Sequence, residues 1–298
     1  MRTCTPRARV LFDLTQGPLF RVVVYRLTDS EHVLFVAMHH IVSDGWSFGL
    51  FMRELSGLYR AHVGHGRTQV SAPPIQYADY AYWQQAQWLK SDEAARQLAY
   101  WQEKLGFYVE PLQLPVDLAS PPQRTQRGAS RSYTLSSALT EKLKSLSRTE
   151  NTTLFVTLLT AFKVLLNRQP VRRIDCGSPA VGRIRPRIVK SHFRYFNIVV
   201  LRSAPAGLCQ NCWATFTKRL YVYDNQAIPF NMWPIGRSAP RSAGAFTLQD
   251  AVENVLDLPG IQASSLTIEQ DAADFDLFLY VEQKTENLVL DLRYKNDP

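Results

Sequence analysis

The run from residue 32 to residue 62 constrains this chain most: an apolar segment rich in β-formers, HVLFVAM, passes through His39-His40 and the pair Asp44-Gly45 into helical apolar spacing. Turn-like Thr28-Asp29-Ser30-Glu31 bounds the apolar segment upstream, so residues 32–40 are predicted to form a buried strand. Phe51, Leu55, Leu58 and Tyr59 predict a helix that begins just past Asp44-Gly45 and ends near His62. Strand, tight turn and helix in that order set a histidine beside a glycine backbone and a helix start, where N–H groups without intrahelical partners can face a substrate. Successive strand residues point to opposite faces, so on this reading His39 packs and His40 is free to act, or the reverse.

Composition narrows the classes. A chain of 298 residues with 46% hydrophobic content can bury a sizeable core and is large enough for two lobes. No stretch of eighteen uncharged apolar residues occurs, since the longest candidate, residues 154–166, is interrupted by Lys163; no membrane span is expected. The opening MRTCTPRARVLFDL is basic but has neither the apolar segment nor the cleavage site of a secretory signal, so the expected location is cytoplasmic. Cys209 and Cys212 form a CxxC without a second pair, and His62 and His65 an HxxH without an acid or thiol set beside it; no metal is expected at either.

The net charge of +8 is uneven, with Arg172, Arg173, Arg183, Arg185, Arg187, Lys190 and Arg194 opposed in their region only by Asp175. No aromatic platform interleaves with them, so nucleic acid is not the expected partner. A solvated face, or a patch that docks an acidic protein, accounts for the cluster.

Further elements follow the same logic. Strand patterns cover residues 19–27 and 32–40, and helical patterns cover 77–89 and 92–105, with Leu98, Trp101 and Leu105 on one face of the latter. The segment 111–127 holds Pro111, Pro115, Pro121 and Pro122 and reads as a connector, so two domains, 1–110 and 111–298, are expected. Beyond it come a strand at 129–135, a helix after Ser136, an apolar helix at 153–167, strands at 173–180 and 195–202, and a helix around 213–223. Two alternating strands at 275–282 and 288–295 complete the pattern. Mixed strands and helices in two halves indicate an α/β or α+β fold.

Several segments carry a resemblance. MHHIVSDGWS at residues 38–47 resembles the HHxxxDG motif of the condensation domains of nonribosomal peptide synthetases, a family within the chloramphenicol acetyltransferase-like group. Phe12-Asp13-Leu14 with Gly17-Pro18-Leu19 resembles the family's FDLxxGPL, and YADYAYW at 77–83 its YxDYAxW. In the second half, GSPAVGR at 177–183 resembles GxPxxGR, Phe196-Asn197 part of FVNT, Asn225-Gln226 with Pro229-Phe230 the NQDxPFE segment, and Phe275-Asp276-Leu277 a late FDL strand. Departures accompany the matches: the family's opening strand, helix and RHExLRT segment have no counterpart, residues 187–194 read RIVKSHFR where the family is acidic and glycine-containing, and Ile198, Ala227 and Asn231 replace a Thr, an Asp and a Glu.

The resemblance implies two chloramphenicol acetyltransferase-like lobes arranged as a V-shaped pseudo-dimer, the first lobe incomplete. It implies amide bond formation between a donor thioester and an acceptor amine, both held on phosphopantetheine arms of peptidyl carrier proteins, with adenylation domains as neighbours and no cofactor bound by the chain itself. His40 would be the catalytic histidine, since an imidazole, with an ordinary pKa near ~6.5, can accept a proton or hold an amine in line. His39 would be structural, Asp44 would pair with Arg183, and Gly45 would leave room for the thioester and offer its N–H to the oxyanion. Asn197 would contact substrate or the pantetheine arm, while Trp46, Ser47 and Tyr77 would be walls or turn residues of the site. The chain lacks the DxxxxD of heterocyclising relatives and the EGHGR-like segment of epimerising ones. The alternatives are a noncatalytic binding or scaffold module and a free-standing acyltransferase that uses coenzyme A.

Overall fold

The computed structural model describes residues 10–64, 70, 72–73, 75–106, 127–167, 174–181, 196–203, 224–229, 232, 244–250, 256–266, 273 and 275–296. Packing divides the chain into two compact units: residues 1–81, 183–195 and 253–268 form one, and residues 82–182, 196–252 and 269–298 the other. The expected division into 1–110 and 111–298 rests on the proline-rich connector, whose residues 111–126 lie outside the described residues. The helix that precedes the connector packs into the second unit's core through Trp101 and Leu105, because its apolar face needs a sheet to cover it.

The first unit is built on an antiparallel hairpin of β1 (Phe20–Arg26) and β2 (His32–Met38), in register from Phe20 opposite Met38 to Arg26 opposite His32. Its turn is closed by the Leu27 and Thr28 N–H groups, both donating to the Glu31 carbonyl, while the Thr28 hydroxyl accepts from the Ser30 and Glu31 N–H groups. Strand β1 alternates strictly, with Phe20, Val22 and Val24 exposed and Arg21, Val23 and Tyr25 half-buried. Helix α1 (Gly45–His62) follows. Ser56 and Arg60 on it hold the segment around Asp257: the Asp257 N–H donates to Ser56 Oγ at 3.1 Å and the Arg60 guanidinium pairs with the Asp257 carboxylate.

Helix α2 (Tyr77–Ala86) crosses from one unit into the other, and a 3₁₀ turn at Trp88–Lys90 leads to α3 (Asp92–Leu105), capped by Ser91. The remaining elements are β3 (Gly128–Thr134), α4 (Ser137–Thr149), α5 (Leu154–Leu166), β4 (Ile174–Val181), β5 (Phe196–Ser203), β6 (Gly244–Asp250), β7 (Leu277–Gln283) and β8 (Leu288–Lys295). Among the described residues six strands make one mixed sheet in the order β3-β8-β7-β6-β4-β5, with β6 parallel to both its neighbours and the other pairs antiparallel.

That sheet explains why α5 is apolar almost throughout. Phe162 stacks on Phe246 of β6 and Phe155 meets the same ring edge-on, with centroids 6.2 and 5.2 Å apart. Val156, Leu159 and Leu166 join Cys176, Val199, Val200, Val281 and Leu288 in a single core. Lys163 is fully buried in this helix and survives there because its Nζ donates to the Leu201 carbonyl at 2.6 Å; a buried ammonium needs such a partner. Among the described residues no helix is long and apolar enough to cross a membrane.

Candidate active site at the histidine turn

Strand β2 ends at Met38, so the histidine pair stands beyond it rather than on it. The His39 N–H still donates to the Leu19 carbonyl at 2.9 Å, extending the hairpin by one bond, and His40 opens the turn. Alternation along a strand therefore does not separate the two rings; the hydrogen bonds of the turn do.

His39 is the turn's hub. Its ring Nδ1 accepts the Ile41 N–H at 3.0 Å, and its carbonyl accepts both the Val42 N–H at 3.0 Å and the Ser43 hydroxyl at 3.2 Å. A nitrogen that accepts carries no proton, so His39 holds its proton on Nε2. His40 has the opposite arrangement: its Nδ1 lies 2.5 Å from the Ser43 carbonyl, which can only accept, so Nδ1 carries a proton and Nε2 is the basic nitrogen of the neutral ring. His40 is exposed and His39 half-buried.

Asp44 ends the turn by starting the helix. As N-cap of α1 its Oδ1 accepts the Ser47 N–H and the Ser47 hydroxyl, each at 2.8 Å, and its own N–H donates to Ser47 Oγ at 2.6 Å. This reciprocal cap satisfies donors that a helix start leaves open. Ser47, only 2% exposed, is thereby committed to the turn. Trp46 is 48% exposed. Gly45 is the first helical residue, whose N–H has no partner within the helix by geometry. Arg183, expected opposite Asp44, lies outside the described residues, as do the other basic residues of the cluster from Arg172 to Arg194, Cys209, Cys212, His65 and the helix expected around 213–223.

Asn197 belongs to the second unit, at the start of β5. Its Nδ2 donates to the carbonyls of Gln226 and Ile228 at 2.6 and 2.7 Å, and its Oδ1 accepts the Ile198 N–H at 2.9 Å. The side chain thus ties β5 to the Asn225–Ile228 turn. Helix α3 holds the same turn: Trp101 Nε1–H donates to the Asn225 carbonyl at 2.8 Å and Gln97 Oε1 accepts the Ala227 N–H at 3.2 Å. Gln97 and Arg21 are supporting residues that the sequence did not single out, while Phe12 and Ser43 stood inside the FDLxxGPL and HHxxxDG matches without a role of their own.

The comparisons with known proteins agree on a single family. The family model for the condensation domain matches residues 6–298. The chain is 33% identical over 299 residues to the chondramide synthase of Chondromyces crocatus, covering 96% of this chain and 8% of that protein. It is 32% identical over 294 residues to the malpinin synthetase of Mortierella alpina, covering 95% and 4%. The chain therefore spans less than a tenth of the length of these relatives. Among solved structures, the X-domain from teicoplanin biosynthesis matches with a TM-score of 0.85 at 20% identity, over 98% of this chain and 70% of that one. The first condensation domain of the CDA synthetase matches with a TM-score of 0.76 at 18% identity, over 99% and 66%. With the mixed α/β fold, the HHxxxDG turn and a family match across nearly its whole length, the chain belongs to the condensation domain family.

Proposed function

We propose that the chain forms amide bonds between a donor acyl thioester and an acceptor amine, each delivered on the phosphopantetheine arm of a carrier protein, as one part of a larger peptide synthetase. The observation that carries this reading is the contact of His40 Nδ1 with the Ser43 carbonyl, within an HHxxxDG turn that the family match covers: it puts a proton on Nδ1 and makes Nε2 the nitrogen of the neutral ring that can accept from an amine.

The amine nitrogen attacks the thioester carbon and its carbonyl oxygen gathers negative charge. Nε2 of His40 takes or orients the amine proton, and the sulfur leaves as a thiol once it receives a proton. The Gly45 N–H, at the start of α1, is the proposed donor to the oxyanion, and the exposed Trp46 the proposed wall beside it. Asp44, paired with Arg183, secures the turn. Partners are donor and acceptor carrier proteins and adjoining adenylation domains.

A condensation assay with loaded donor and acceptor carriers tests this. His40→Ala is expected to abolish product while leaving the circular dichroism spectrum unchanged. Undiminished turnover by that variant would remove His40 as the acting group, and no product from the unsubstituted chain would make a binding or scaffold module the better reading.

A further inference from the structure

An unbroken line of contacts runs from the segment before β1 into the histidine turn, all within the first unit. On β1, the guanidinium of Arg21 donates from Nη1 to the Val10 carbonyl and from Nη2 to the Leu11 carbonyl, both at 2.7 Å. The same guanidinium lies over the Phe12 ring, its Cζ 3.9 Å from the centroid, in cation–π contact. Phe12 meets the His39 ring edge-on, with centroids 5.9 Å apart and planes at 82°. The next residue, Asp13, fixes its own turn by accepting the Thr15 N–H and hydroxyl at 2.9 and 2.6 Å, so Phe12 is constrained on both sides.

His39 must hold one ring orientation for the turn to close, because only Nδ1 can accept the Ile41 N–H. A half-turn of the ring would present a C–H there. Its carbonyl also receives the Ser43 hydroxyl, and the Ser43 carbonyl is what keeps the proton on His40 Nδ1. Disorder in the His39 ring would release the Ile41 N–H and loosen the 39–43 backbone that sets the Ser43 carbonyl on His40 Nδ1, so that the proton no longer has a fixed place on that ring.

Resting on the reading of His40 as the acting imidazole, we propose that Arg21 and Phe12 are positioning residues: they clamp the His39 ring and thereby fix the tautomer and aim of His40. Neither touches the reactants. Both are half-buried, and Val10 and Leu11 are exposed, so water can take the place of Arg21 at their carbonyls.

Histidine-selective ¹⁵N NMR of the 298-residue chain tests the clamp without requiring turnover. In the unsubstituted protein His39 is expected as the Nε2–H tautomer and His40 as the Nδ1–H tautomer. Phe12→Leu and Arg21→Gln should convert His40 to an exchanging mixture with circular dichroism unchanged, and Phe12→Tyr, which keeps the ring, should restore the single form. In the two-carrier assay the first two variants should lose turnover roughly 10- to 100-fold with KM nearly constant, the effect of misplacing a reacting group by about 1 Å. Folded Phe12→Leu protein with both tautomers intact overturns the proposal. Retained turnover by His40→Ala would instead remove the catalytic reading while leaving the tautomer result standing, so the two failures are distinguishable.

Discussion

The indole N–H of Trp101 donates to the carbonyl of Asn225, 124 residues further along the chain, at 2.8 Å. A helix residue thus pins a turn that Asn197 grips from the other side. Trp101→Phe keeps most of the buried ring but strands that carbonyl in a buried setting, and is expected to lower stability by about 1–3 kcal/mol, read as a shift in urea midpoint at constant m-value.

Asn197→Asp should be worse than Asn197→Ala. The alanine merely leaves two carbonyls without a donor, whereas the aspartate aims a carboxylate at both of them. Each unsatisfied group costs roughly 1–3 kcal/mol. If the alanine variant keeps its melting temperature and changes only substrate KM, Asn197 acts on substrate after all.

Loss of the cap is expected to be modest when the cap alone is at stake. Asp44→Ala should cost about 1 kcal/mol, and Asp44→Asn less, since the amide oxygen can still accept the Ser47 N–H. A loss of about 3–5 kcal/mol would instead reveal the proposed buried pair with Arg183. Chemical denaturation of both variants beside Arg183→Ala separates the two results.

Gly128 opens β3 at a point where a side chain has no room. A Cβ there would lie 2.6 Å from the Ala273 Cβ and 2.8 Å from the Ala273 nitrogen. Gly128→Ala is expected to destabilise the second unit by about 1–3 kcal/mol through overpacking, measured by calorimetry.

Acid should reveal Glu93. Hydrogen bonds from Arg96 and then Gln97 hold its carboxyl down from the ordinary 4.5 to about 2. A depressed folded-state value means that the contribution is complete above the unfolded value near 4.5 and is lost as pH falls toward about 2. Glu93→Gln should therefore lower the melting temperature slightly at neutral pH, where the contribution is complete, and flatten its decline as pH falls across that window, the two proteins converging at the acid end. The exposed setting keeps the effect small, and an unaltered acid profile would show that solvent screens it out.

Much of this architecture was legible because its signals are local. Asp92–Leu105 and Leu288–Lys295 agree to the residue, and Ser136 and Thr153 are N-caps where a hydroxyl precedes an apolar repeat. Strand β6 was missed. Its GAFTLQD is short and holds only Phe246 and Leu248 as strong apolar residues, yet the sheet buries Ala245 and Phe246 between two parallel neighbours. The histidine motif was recognised, but its mechanics were not: strand alternation suggested how the rings divide, while the actual division comes from backbone partners at Ile41 and Ser43. The bonds Asn197 makes to the 225–228 turn were illegible for a related reason, since a polar residue in a motif looks the same whether it meets a substrate or a carbonyl 31 residues away.

The strand order also sets a timetable for synthesis. Strand β3 lies at one edge of the sheet with β8 as its neighbour, and cross-strand partners such as Ser132 and Asp291 are 159 residues apart. At about 5–20 residues per second a ribosome makes β3 roughly 8 to 30 s before its neighbour emerges. Through that interval the nascent β3 has neither edge paired, and its exposed Arg131 and the polar run Ser130, Ser132 and Thr134 suit it to wait in water without sticking to other chains.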